Sequence, residues 1–140
     1  MRHTSNYLET LSRTALFSAC NRDQLRLIAR FAEPIDAQAG DVLVAQGAVG
    51  SEFFVIADGT ADVQRDGKHV ATLGPGSFFG ELALLVKEPR NSAVVATSPM
   101  KLYVLGAREF AGLLAEVPSL SRKVLQGMAS RVRAADLIPA

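Results

Sequence analysis

Apolar and polar positions change period twice along the chain. Over the first thirty residues the apolar ones recur at helical spacing, with Leu8, Leu11, Leu16 and Phe17 forming a loose stripe. Asn21 then stands three residues before Gln24, the spacing of a capping box, and opens a short helix through Leu25, Leu27, Ile28 and Phe31. Pro34 ends this pattern, because a proline drives the residue before it out of the helical region.

From Ile35 to about Gly106 the texture is that of strands. Short β-prone runs occupy Asp41–Ala45, Glu52–Ala57, Thr60–Arg65, His69–Leu73, Ala93–Ala96 and Lys101–Leu105, with glycines between or beside them. Asp66-Gly67 is a two-residue hairpin signal. Helical spacing returns after Gly106, in a short segment Arg108–Glu116 and in a longer one that starts at Pro118 and runs to about Asp136. A parallel α/β fold is excluded, since no helix of adequate length separates the strands. The prediction is a mainly β protein with flanking helices, α+β in class. An antiparallel β-roll or jelly-roll barrel over 35–106 would carry helices before it (1–33) and after it (107–136), in one domain over 1–140. No low-complexity linker and no long-period repeat interrupts it.

Composition narrows the chemistry. The 140 residues suffice for one domain with a real core, and 49% hydrophobic against 21% charged residues argues against disorder. A net charge of +1, with both signs interspersed, argues against a nucleic-acid or membrane surface that works by bulk electrostatics. Cys20 is the single cysteine, and His3 and His69 are the two histidines. These supply neither a disulfide framework nor a cysteine or multi-histidine metal site, so no metal and no cofactor is expected. No Ser-His-Asp or Cys-His arrangement offers a nucleophile, which argues against an enzyme. No apolar run approaches the ~18 residues of a membrane span, and Met1-Arg2-His3 is not followed by a signal-peptide core; a cytoplasmic protein is expected.

One stretch stands out, FGELALLVKEPRNSAVVA from Phe79 to Ala96. Gly80 to Leu85 breaks the strand texture with good helix formers, so a one-turn helix entered through Gly80 is expected. Free N–H groups at such a start attract anions, and the glycine allows a ligand close to the backbone. The loop Val86–Pro89 then delivers Arg90 at the start of the next strand, and the planar guanidinium suits a phosphate. Glu81 would repel a phosphate but can accept hydrogen bonds from sugar hydroxyls. Two readings fit the spacing: Glu81 and Arg90 pair with each other, or they serve the two ends of a sugar phosphate.

The stretch FGELALLVKEPRNS closely resembles the phosphate-binding cassette of cyclic-nucleotide-binding domains, the sensor domains of the protein kinase A regulatory subunit, cyclic-nucleotide-gated channels and the catabolite activator protein. A second segment resembles the same family: Leu43 to Gly50, then Phe53-Phe54-Val55-Ile56, then Gly59. The resemblance runs from about Leu16 to Asp136. It implies that Gly80 and the backbone around Glu81, Leu82 and Ala83 approach the ribose and cyclic phosphate. It also implies that Glu81 binds the ribose 2′-hydroxyl, that Arg90 neutralises the phosphate, and that Asn91 and Ser92 border it. Where the family has a small residue and then alanine after the arginine, this chain has Asn91 and then Ser92. The threonine associated with cyclic GMP in some members is absent, so cyclic AMP is the expected ligand ahead of cyclic GMP. Phe79, Val63 and Val70, beside the cassette, are candidate contacts to the ligand.

On the last helix, Leu120, Val124, Leu125, Met128 and Val132 fall within one ~140° arc that also contains Arg131. Arg131 either snorkels near the helix end or reaches toward Glu81 or the base as the helix folds over the ligand. Met128, Val132, Leu137 or Ile138 would then cover the purine, and Gly127 marks a plausible bend. Only a few residues follow this helix and both termini read as natural. A stand-alone sensor that signals to an effector protein is expected, with no direct nucleic-acid or membrane contact. The alternative is an interaction scaffold that keeps the fold and has lost the ligand.

Overall fold

The computed structural model describes residues 2–137, and the side chains of 7–127 and 129 other than 15 and 82. Helix α1 (Arg2–Arg13), a 3-10 turn (Ala15–Phe17) and α2 (Arg22–Ala29) lead into the strands. The capping box at α2 is made reciprocally: Gln24 N donates to Asn21 Oδ1 at 2.8 Å, and Asn21 N donates to Gln24 Oε1 at 2.9 Å. Phe31, expected on the apolar face of that helix, lies beyond its end and is exposed.

Eight strands follow among the described residues: β1 (Glu33–Ala37), β2 (Val42–Val44), β3 (Glu52–Asp58), β4 (Ala61–Arg65), β5 (Lys68–Leu73), β6 (Phe78–Phe79), β7 (Ala93–Ala96) and β8 (Met100–Gly106). They form two antiparallel sheets in the orders β1-β8-β3-β6 and β2-β7-β4-β5. The antiparallel roll with flanking helices is as expected, but the described strands do not close into a barrel. Strand β1, which the sequence pattern did not predict, tolerates Pro34 because it lies at a sheet edge. Asp66 and Gly67 take positive φ values of 55° and 76° between the paired Arg65 and Lys68, the two-residue hairpin the sequence predicts.

Strand β3 explains its own apolar run. Phe53 and Val55 are buried with Leu11, Phe17, Ile28, Phe110 and Leu120, in the core between helices and sheet. Phe54 and Ile56 face the other way, into a core shared by both sheets with Ala61, Val94, Ala96 and Leu102. An antiparallel strand covered on both faces is apolar at consecutive positions rather than alternate ones. Each such side chain contributes about 1.5–3 kcal/mol of burial. Phe17 packs edge-on against Phe53 and Phe110, at centroid distances of 6.0 and 5.6 Å, and so ties the 3-10 turn to the sheet and to the helix that carries Phe110.

Helices α3 (Ala107–Glu116) and α4 (Pro118–Leu137) close the chain. Helix α4 runs unbroken through Gly127, which is buried. Leu120 and Val124 are buried, whereas Leu125 is 68% exposed. Leu125 sits at the edge of the predicted arc, ~100° from Val124, too far round to reach the core. Among the described residues, no helix is long and apolar enough to cross a membrane.

Candidate functional site

Gly80 has a φ of 82°, a left-handed conformation that glycine adopts without strain. It turns the chain from β6 into a 3-10 turn over Glu81–Leu84, closed by Ala83 N donating to the Gly80 carbonyl at 3.1 Å. The expected one-turn helix is therefore present. Leu84 anchors it in the helix-side core, and Phe79 just before it stacks on Phe54 at 4.7 Å.

Arg90 lies against two glycines. A Cβ on Gly80 would come within 2.5 Å of Arg90 Nη1, and one on Gly50 within 1.8 Å of Arg90 Nε. The guanidinium donates from Nη2 to the Glu52 carbonyl at 2.8 Å. Its backbone is held by the turn before β3: Arg90 N donates to the Ala48 carbonyl at 2.8 Å, and Gly47 N donates to the Arg90 carbonyl at 2.7 Å. The two segments singled out in the sequence, Leu43–Gly50 and the cassette, thus meet around one side chain.

Burial pulls the Arg90 pKa below the ordinary arginine value, and the Glu52 carboxylate opposes that shift. The group stays charged all the same. Arg90 Nε is buried without a hydrogen-bond partner among the described residues. A charged donor left unmade in a protein costs about 1–3 kcal/mol or more, so the guanidinium is held in this position at a cost. Glu81 is buried at 6% exposure, and among the described residues it forms no ion pair with Arg90. Mutual pairing therefore does not account for the two charges.

The remaining candidates are spread around this centre. Asn91 is exposed and Ser92 half-buried, next in sequence to Arg90. Val63 is half-buried on β4 and packs on the inter-sheet core, whereas Val70 on β5 is 49% exposed. The side chains of Leu82, Met128, Arg131 and Val132 lie outside the described residues, as do the side chain of Leu137 and all of Ile138. Sequence reasoning missed Arg65, whose Nε is 3.2 Å from both the Asn91 carbonyl and Ser92 Oγ. The signal was the pairing of β4 with β7: Gln64 lies opposite Ala93, which carries Arg65 toward Ser92. It missed the Glu52 carbonyl as well, since a backbone acceptor leaves no mark in residue identity.

A cavity of about 180 Å³ lies elsewhere, lined among others by Tyr7, Thr10, Arg13 of α1, Ile56 of β3, Gly76 and Tyr103 of β8. Its own carboxylate and guanidinium, Glu9 and Arg13, are exposed and pair with each other at 3.9 Å, unlike the buried Glu81 and half-buried Arg90 of the cassette. The cassette is the candidate site on that ground.

Two sheets that share a core, with helices before and after them and a glycine-entered turn beside a cradled arginine, define a β-roll domain. The chain belongs to the cyclic nucleotide-binding domain family, whose model matches residues 34–117. It is 35% identical over 117 residues to the cAMP-dependent protein kinase regulatory subunit of Schizosaccharomyces pombe, a match that covers 83% of this chain and 28% of that protein. The chain thus spans under a third of that relative's length. Among solved structures it is similar to the N-terminal domain of a transcriptional regulator from Streptomyces coelicolor A3(2), with a TM-score of 0.83, 27% identity, and coverage of 94% of this chain and 98% of that one. It is also similar to the regulatory domain of Toxoplasma gondii PKA, solved with cAMP, with a TM-score of 0.68, 27% identity, and coverage of 77% and 43%.

Proposed function

We propose that this chain is a non-enzymatic cyclic-nucleotide sensor that takes cyclic AMP at the cassette and signals to an effector protein in the cytoplasm. The observation that carries the reading is Arg90, a half-buried guanidinium cradled by Gly50 and Gly80 whose one side-chain hydrogen bond among the described residues goes to the Glu52 carbonyl. In this reading the cyclic phosphate lies on Arg90 and the backbone of Gly80, Leu82 and Ala83, bordered by Asn91 and Ser92. Glu81 accepts from the ribose 2′-hydroxyl, where a carboxylate is a stronger acceptor than a neutral group. Phe79, Val63 and Val70 lie on the base side, and Arg131, Met128 or Val132 of α4 covers the purine. Support comes from the S. pombe relative, a regulatory subunit named for cAMP dependence, and from the T. gondii structure solved with cAMP. Helix α4 is the element that rearranges, and cyclic AMP drives it to the extent that it prefers one arrangement.

Thermal unfolding tests this reading. Cyclic AMP at ~100 times its dissociation constant adds about 2.7 kcal/mol to stability. It should raise Tm more than cyclic GMP does at the same concentration, and linear 5′-AMP should raise it least. Denatured protein should first be assayed for nucleotide carried over from the host. If the protein is empty and neither cyclic nucleotide moves Tm, the proposal fails and the chain is a scaffold that has kept the fold alone.

A further inference from the structure

The hairpin of β4 and β5 grips the Arg90 segment at two points. Its turn residue Asp66 donates N–H to Gln46 Oε1 at 2.8 Å, and Gln46 Nε2 donates back to Asp66 Oδ1 at 2.9 Å. Gln46 directly precedes Gly47 and Ala48, whose backbone holds Arg90. One residue before the hairpin turn, Arg65 Nε shares its single hydrogen between the Asn91 carbonyl and Ser92 Oγ, each 3.2 Å away. The other two nitrogens of Arg65 make no hydrogen bond among the described residues, and its side chain is exposed. A braced hairpin therefore delivers a second guanidinium to the two residues that follow Arg90.

Those two residues are the positions where this chain departs from the small-residue-then-alanine pattern of the family it resembles. The departure has a partner. The hydroxyl that stands in place of a methyl is the one Arg65 holds. With Ser92 Oγ accepting from a cation, its own hydrogen is left to donate elsewhere, and a polarised hydroxyl donates more strongly. The Asn91 carbonyl is fixed toward β4 by the same bond. Across a planar trans peptide, the Ser92 N–H then points the opposite way, away from Arg65.

We infer that Arg65 is a positioning residue for the anion end of the site. It fixes the Asn91–Ser92 peptide and orients the Ser92 hydroxyl as a donor to the phosphate of a cyclic nucleotide held by Arg90. The inference rests on the functional reading above and deepens it. Asn91 and Ser92 become half of a rewired support, with Arg65 as the other half, rather than the mark of a lost ligand.

Calorimetric titration with cyclic AMP tests this on the wild type, Arg65→Ala, Ser92→Ala, Ser92→Thr and the double alanine variant, with Tm recorded for each. Arg65→Ala and Ser92→Ala should each weaken binding roughly tenfold, and the double variant should lose less than the product of the two, because both break the Arg65–Ser92 bond. Ser92→Thr keeps the hydroxyl and should stay within about twofold of the wild type. The Tm of Arg65→Ala should match the wild type, as expected for an exposed side chain, so that affinity and fold are read separately. Equal affinity for wild type and Arg65→Ala overturns the inference while leaving the cassette reading intact. Losses that multiply in the double variant overturn it too. A wild type that binds neither cyclic AMP nor cyclic GMP overturns both.

Discussion

Gly50 has no left-handed backbone to relieve; it is glycine for space. A Cβ there would overlap Arg90 Nε and Cζ, at 1.8 and 2.2 Å, so the arginine must leave its cradle if the position is filled. Gly50→Ala should therefore keep the fold, with a circular dichroism spectrum like the wild type's, yet lose roughly tenfold or more in cyclic AMP affinity. Unchanged affinity would mean that the cradled position of Arg90 does not matter for binding. Glu81 and Arg90 were legible from sequence because they sit in one contiguous stretch whose residue types already state a chemistry. Gly50 could be read only as turn punctuation, and Arg65 not at all. Their roles depend on which strand lies beside which, and single-residue identity does not carry that information.

At the level of elements, local chemistry was the most legible part. The Asn21–Gln24 capping box and the Asp66-Gly67 hairpin appear as expected, since each is decided within four residues. Asn21→Ala removes the acceptor for Gln24 N and should cost about 1 kcal/mol, which lowers Tm by about 4 °C, with cyclic AMP affinity unchanged. A fall in affinity along with Tm would tie α2 to the site, which nothing in its packing suggests. Strands β1 and β6 escaped the pattern for different reasons. The first contains a proline that reads as a stop, and the second is two residues long and defined by its pairing with β3. Closure into a barrel was expected from the even spacing of strands. Spacing counts strands but does not say which edges bond, and the described strands divide into two sheets.

Over the whole molecule, β3 connects the parts. One face of it builds the helix-side core and the other the inter-sheet core, and its first residue supplies the carbonyl that receives Arg90. The cassette turn packs against this strand and against α3, and α4 packs on the 3-10 turn after α1. A ligand on Arg90 would therefore bear on the strand shared by both cores. Much of this architecture follows from the apolar run Phe53–Ile56, which suits a strand covered on both faces.

In the proposed function the cradled guanidinium of Arg90 receives the phosphate of a cyclic nucleotide. Calorimetric titration of the nucleotide-free protein with cyclic AMP, beside Arg90→Ala, tests it most directly. The wild type should bind saturably and the variant about a hundredfold or more weaker, in keeping with the removal of charge-assisted hydrogen bonds. The variant should still fold, because the side chain is only half-buried and leaves one donor unmade among the described residues. Equal binding by the two proteins, or none by either, would rule out Arg90 as the phosphate's partner.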